Sequence, residues 1–197
     1  MRASAVEVYR CHAMAALRAM TAQELLHYSH EPYRTELIAG RLVETEPAGA
    51  LHGSAAAGIC RLLANHVTAH GLGKVFGAET GFVLKTDPDT VRAPDASFVS
   101  RARVEAAGGI PDSFWPGPPD VAFEVTSPRD RRGEVQSKTH SWLAAGTGAV
   151  VVVDPRRRVA TIHRPGGGEP RRLTGAERVD LDDVLPGFAP TVDDLLA

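Results

Sequence analysis

The run Ala149-Val-Val-Val-Val153 is the strongest constraint on how this chain folds. A strand that is apolar on both of its alternating faces needs cover on both sides, so it belongs in the interior of a sheet flanked by other layers. The elements around it supply that cover. Leu51, Ala55, Ile59, Leu62, Leu63, His66 and Val67 recur at helical spacing and predict a long helix over residues 51–70, closed by Gly71. Arg132 to Ala145 reads as a second helix, stopped by Gly146. Thr21 followed by Glu24 is a capping box for a short helix from Ala22 to about Tyr28 that ends near Pro32. Strands are expected over Lys74–Ala78, Gly81–Leu84, Val91–Val99 and Val121–Thr126. Hairpins are expected around Ala39-Gly40 and around Gly166–Gly168, the second joining Arg158–Arg164 to Glu169–Thr174. Residues 100–119 read as an excursion with one helical turn near Ser100–Ala107. Helices on the faces of a mixed sheet define an α/β protein.

A chain of 197 residues holds one ordinary domain. That domain is expected over residues 21–197, after a poorly ordered N-terminal extension of residues 1–20, in which Val6–Ala19 has some helical character. Met1–Met20 contains no continuous apolar stretch, so no signal peptide is expected. No apolar run reaches the roughly 20 residues of a membrane span, and no membrane association is expected. Two cysteines, Cys11 and Cys60, make no disulfide framework and read as reduced thiols of a cytoplasmic protein. The net charge of −2 advertises no nucleic-acid partner as a whole. Six acids against one base from Glu177 to Ala197 leave the remainder positive, so a local basic face is compatible with the charge pattern.

Two carboxylates stand in apolar surroundings. Asp95 follows a proline in a strand-like run, and Glu124 interrupts Val121-Ala-Phe-Glu-Val-Thr126. Burying a carboxylate is costly without a partner. Two of them on adjacent strands repel unless they share a proton or a cation. Mg²⁺ satisfies this economically, because it takes hard oxygen ligands and keeps water in its other positions. Lys138, on the following helix, reaches the pair if that helix lies over the sheet. Acid, acid and lysine around a divalent ion make a site for phosphodiester hydrolysis.

These residues carry a resemblance. Tyr33-Arg-Thr-Glu36-Leu-Ile-Ala-Gly40, His52-Gly53, Val75-Phe-Gly77 with Thr80-Gly-Phe82, and Val91-Arg-Ala-Pro-Asp95 come first. Pro119-Asp120 then leads to Glu124-Val-Thr-Ser-Pro128, followed by Lys138 and Val153-Asp-Pro155. Together, in this order, they resemble the Uma-two family of bacterial endonucleases in the PD-(D/E)xK restriction-endonuclease-like superfamily. The resemblance implies an αβββαβ core with additional β-hairpins. It implies metal binding at Asp95, Glu124 and Val125, a catalytic set of Glu36, Asp95, Glu124 and Lys138, Mg²⁺ replaceable by Mn²⁺, and DNA as substrate. One departure is plain: Thr126 occupies the place of the superfamily's strand lysine, and Lys138 is the displaced substitute.

Taken without the resemblance, the same residues leave other roles open. Asp95 can end a strand, and Glu124 can pair with Arg129, Arg131 or Arg132. Lys138 can pair with Glu134 one turn away, and Glu36 can be a cross-strand surface acid. His52 reads as a hydrogen-bonding residue at a helix N-terminus. His66 and His70 have zinc-ligand spacing near Cys60 but no fourth ligand. The alternative to a nuclease is a catalytically inactive nuclease-like domain that binds nucleic acid or a protein partner. The apolar stretch Ile110–Pro119, with Phe114 and Trp115, leads to the expectation of a homodimer.

Overall fold

The computed structural model describes residues 19–28 and 34–197. Cys11, Pro32, Tyr33 and the expected helical stretch before Ala19 lie outside the described residues. Helix α1 (Ala22–Leu26) opens on the expected capping box, with the Thr21 amide donating to Glu24 Oε2 at 2.9 Å and the Glu24 amide to Thr21 Oγ1 at 3.2 Å. Strands β1 (Arg34–Ile38) and β2 (Arg41–Thr45) form the expected hairpin. Its turn residues Ala39 and Gly40 both have positive φ, 49° and 74°, as a two-residue turn matched to strand twist requires. A Cβ on Gly40 would lie 2.3 Å from that of Ala19, so only glycine fits there.

Helix α2 (Ala50–His70) is followed by β3 (Gly73–Gly77), β4 (Phe82–Lys85), β5 (Thr90–Arg92) and β6 (Ala96–Ser100). Helix α3 (Arg101–Ala106), β7 (Trp115–Pro116), β8 (Val121–Val125) and α4 (Arg132–Ala145) come next. The chain ends with β9 (Ala149–Asp154), β10 (Val159–His163), β11 (Arg171–Thr174) and α5 (Val192–Leu195). The expected single sheet is two sheets, one of six strands in the order β11-β10-β9-β8-β6-β3 and one of five in the order β2-β1-β5-β4-β7. The αβββαβ core is α2-β3-β6-β8-α4-β9, with β8 and β9 parallel and the earlier pairs antiparallel. The hairpin β10-β11 extends that sheet, and the five-stranded sheet is built from the β1-β2 hairpin that precedes the core and from β4, β5 and β7, which lie between core elements.

The sequence pattern explains the layering. On β8, Val121, Phe123 and Val125 face the core formed with Ala55, Ile59, Leu63 and Val67 of α2. Ala122 faces the other way, toward Trp142 of α4 and Phe82 of β4. Strand β9 divides in the same manner: Ala149, Val151 and Val153 join the first cluster, while Val150 and Val152 join the second. This is the two-sided cover that its apolar run demands. Each valine, leucine, isoleucine or phenylalanine among them contributes roughly 1.5–3 kcal/mol when fully buried.

One expected strand, Val91–Val99, is interrupted. Pro94 has no N–H to give a ladder, and the chain passes at Ala93-Pro94-Asp95 from β5 in one sheet to β6 in the other. Part of the stretch behind the dimer expectation covers its own core. Trp115 is buried against Phe76, Phe114 packs on the Gly81 backbone, and Ile110 is left exposed.

Candidate active site

The junction between the two sheets gathers the charged residues. Glu36 comes from β1, Asp95 from the crossover, Glu124 from β8 and Lys138 from α4, so four separate elements meet at the floor of one cleft. The cleft measures about 1150 Å³. That exceeds the roughly 300–1,000 Å³ of a small-molecule pocket.

The strand break creates part of the site. Because Ala93 lies outside the ladders, its amide donates to Glu36 Oε1 at 3.0 Å and its carbonyl accepts from Lys138 Nζ at 2.9 Å. Asp95 is tied to β8 twice: its amide donates to the Phe123 carbonyl at 3.0 Å, and its Oδ2 accepts from the Val125 amide at 2.8 Å. Lys138 Nζ lies 2.9 Å from Glu124 Oε2 and 3.1 Å from Glu36 Oε1. The fully buried Trp142 donates from Nε1 to Glu124 Oε1 at 2.7 Å.

Each surface role left open for these residues is replaced by a partner in this cluster. Glu36 is no surface acid, since it also accepts from the Arg92 guanidinium at 2.8 Å. Glu124 pairs with Lys138 and Trp142 rather than with Arg129, which joins Glu46. Lys138 does not pair with Glu134, whose carboxylate instead reaches the Arg131 amide. The histidines His66 and His70 bond to backbone carbonyls, those of Pro186 and His66.

Burial and charge together set the ionisation of the cluster. Glu124 is pushed up from 4.5 to about 7 by burial, with Asp95 and Glu36 adding repulsion that Lys138 only partly offsets. Burial also raises Glu36, but Lys138, Arg92 and the Ala93 amide outweigh it and hold the group below the ordinary glutamate value. Asp95 likewise falls below its ordinary value, because His52 and the Val125 amide overcome the effect of burial. Burial lowers Lys138, yet the three carboxylates outweigh this and keep it charged well above its ordinary range.

Three neighbours, Arg34, Arg92 and Trp142, carried no assigned role in the sequence pattern, and a fourth, His52, was expected only as a hydrogen-bonding residue at a helix N-terminus. Arg34 lies 3.7 Å from Asp95 and 3.2 Å from Glu79. His52 lies 3.3 Å from Asp95 Oδ2, and this contact raises the imidazole above its ordinary value. Arg92 supports Glu36 while almost fully buried. Trp142 had a usable signal: it stands four positions after Lys138 on α4, which places both on one helix face.

The donor chemistry suits a hard cation. Among the described residues no three His, Cys, Asp or Glu side chains form a ready-made cage. The available oxygens are Asp95 Oδ1, Glu124 Oε2 and the Val125 carbonyl. In an extended strand a residue's N–H and C=O face the same neighbour, so the Val125 carbonyl lies on the Asp95 side with its amide. Mg²⁺ is suited to such a set, since it binds through one or two carboxylates and retains several waters.

The core order and the two-sheet arrangement define a restriction-endonuclease-like fold. The same fold is seen in the crystal structure of "a putative nuclease belonging to DUF820 from Anabaena variabilis ATCC 29413". The two share 20% identity with a TM-score of 0.75, over 90% of this chain and 97% of the other. The Uma2 family, described as "Putative restriction endonuclease", matches residues 22–193, and the chain belongs to that family. No curated protein matches the chain. No described helix is long and apolar enough to cross a membrane.

Proposed function

We propose that this protein is a metal-dependent nuclease that hydrolyses phosphodiester bonds, with DNA as the substrate. The observation that carries the reading is the convergence of Asp95, Glu124 and Lys138 from three elements onto one buried point at the floor of an open cleft. A purely structural cluster gains nothing from placing a carboxylate where it ionises only near pH 7. The cleft also presents more carboxylates than cationic side chains. A polyanion therefore approaches only with added positive charge.

Asp95, Glu124 and the Val125 carbonyl would hold Mg²⁺, or Mn²⁺ in its place. When bound, the ion supplies a Lewis acid that polarises the phosphate and lowers the pKa of water. The chain's own residues do the rest. Lys138 stays protonated and stabilises negative charge that grows on the phosphate in the transition state. Glu36, fixed by Arg92 and the Ala93 amide, is the second carboxylate anchoring the ammonium beside Glu124. Arg34, partly exposed beside Asp95, is placed to contact a phosphate oxygen.

A cleavage assay with supercoiled plasmid and single-stranded DNA tests the reading. Cleavage should require Mg²⁺ or Mn²⁺, stop on chelation and be absent in Asp95→Asn. A wild-type protein that cuts neither substrate with any divalent ion, yet still binds DNA, would replace this reading with that of an inactive nucleic-acid-binding domain.

A further inference from the structure

Trp142 touches the candidate metal-binding carboxylate directly, yet the hydrolysis described above gives it no task. Its Nε1 lies 2.7 Å from Glu124 Oε1, while Lys138 lies 2.9 Å from Glu124 Oε2. One helix thus presents two different donors, one turn apart, to the two oxygens of a single carboxylate. The indole has no solvent exposure, and Phe82 meets it edge-on at 6.0 Å. The ring cannot swing away without opening the core.

We propose that Trp142 is a positioning residue: its indole N–H occupies Glu124 Oε1 and fixes the carboxylate so that Oε2 alone is presented to the cleft. The proposal rests on the metal-dependent reading. An indole N–H donates only, so a cation that took its place on Oε1 would leave it unpaired in a dry core, whereas Lys138 keeps Glu36 and the Ala93 carbonyl as acceptors when a cation takes its place on Oε2. The hydrogen bond therefore steers a cation to Oε2. Groups that hold a metal ligand in orientation commonly change affinity by 10–100-fold when removed.

Trp115 provides an internal control. It is the other tryptophan of the chain, and its buried Nε1 has no hydrogen-bond partner among the described residues. In ¹⁵N-labelled protein without metal, the Trp142 indole N–H signal should shift and lose exchange protection in Glu124→Ala, while the Trp115 signal stays in place. Trp142→Phe keeps an aromatic ring and removes the donor. Folded Trp142→Phe should bind Mn²⁺ about tenfold more weakly than the wild type, as read by calorimetry. An unmoved Trp142 signal in Glu124→Ala overturns the proposal. So does unchanged Mn²⁺ affinity in folded Trp142→Phe. A wild type that takes up no Mn²⁺ overturns the metal-dependent reading, and the indole signal in Glu124→Ala still decides whether Trp142 holds the carboxylate. If Trp142→Phe does not fold, the Glu124→Ala spectrum decides the proposal.

Discussion

The molecule uses charge in two opposite ways. At the sheet junction, Glu36, Arg92, Asp95, Glu124 and Lys138 form a network with little solvent. Around the C-terminal segment, Arg158 pairs with Asp193 and Arg164 with Asp183, in each case with an acid more than half exposed. Exposed pairs are screened and individually worth about 0–1 kcal/mol. Buried charges carry a desolvation cost that mutual attraction often does no more than balance, and removing one partner exposes that cost. The C-terminal pairs decorate a surface that would hold without them. The junction network is expensive to maintain and is concentrated where chemistry is possible.

The largest effect that would sharpen this contrast is on cleavage. Lys138→Ala should lower the rate by about 10³-fold, the scale of losing one group that stabilises transition-state charge. The structure adds a second consequence. Without Lys138, Glu36 and Glu124 lose their shared cation, so stability should fall by about 3 kcal/mol. That loss should be smaller at pH 6, where Glu124 can take up a proton. Urea unfolding at pH 6 and pH 8 separates the two effects. Thr126, directly after the end of β8 and two positions from Glu124, lines the same cleft. Thr126→Lys in the Lys138→Ala background should therefore recover part of the activity, and unchanged cleavage by Lys138→Ala alone would remove the displaced-lysine reading.

A smaller effect concerns pH and stability. The Glu124 carboxyl titrates near pH 4.5 when unfolded and at about 7 when folded. Between these values the folded chain holds a proton that the unfolded chain has lost, so stability falls as pH rises from about 4.5 to 7. The loss is on the order of 3 kcal/mol, at about 1.4 kcal/mol per unit. His52 adds to the same trend, because its raised pKa gives stability below the ordinary 6.5 that fades as pH climbs through the folded value. Glu36 and Asp95 act oppositely and only in acid, where protonation removes their contribution as pH falls through their lowered values. The metal-free protein should thus be more stable near pH 5.5 than at pH 8. Glu124→Gln should flatten most of that slope in denaturation profiles while abolishing cleavage. A slope unchanged by Glu124→Gln would mean that the junction is no more strained than the surface.

What was legible in the sequence follows the range of the forces involved. Helix α4 runs from Arg132 to Ala145 as its pattern and Gly146 foretold, and the Ala39-Gly40 turn is where its two residues place it. These are local matters of propensity and capping. Asp95 and Glu124 stood out because a carboxylate in an apolar run needs an explanation, and the structure sets them on neighbouring backbone with the Asp95 amide on Phe123. The break at Ala93-Pro94-Asp95 was readable from Pro94, but the alternating apolar pattern on either side masked it. The division into two sheets was not readable, because it depends on which distant strand each edge meets. The same holds for Arg92 with Glu36 and for Trp142 with Glu124: each partner is selected by tertiary packing rather than by spacing along the chain.

The smallest predicted effect tests the other side of the comparison. Arg158 stands in a turn with φ of 53° and donates to Asp193 in the first turn of α5. Both side chains are about half exposed, at 53% and 52%. Asp193 also sits favourably at the helix N-terminus by charge alone, although the α5 cap itself is made by Thr191 and Asp194 rather than by Asp193. Replacing Arg158 therefore leaves no buried group unpaired and no capping bond broken. Arg158→Asn keeps a residue that tolerates positive φ, so backbone strain does not enter the measurement. Its unfolding free energy should change by less than about 0.5 kcal/mol and shrink further in high salt. Cleavage should be unaffected, since the pair is not among the residues lining the cleft. A loss approaching that of Lys138→Ala would break the comparison, because it would show that an exposed pair in the C-terminal segment carries stability of the kind assigned here to the buried network alone.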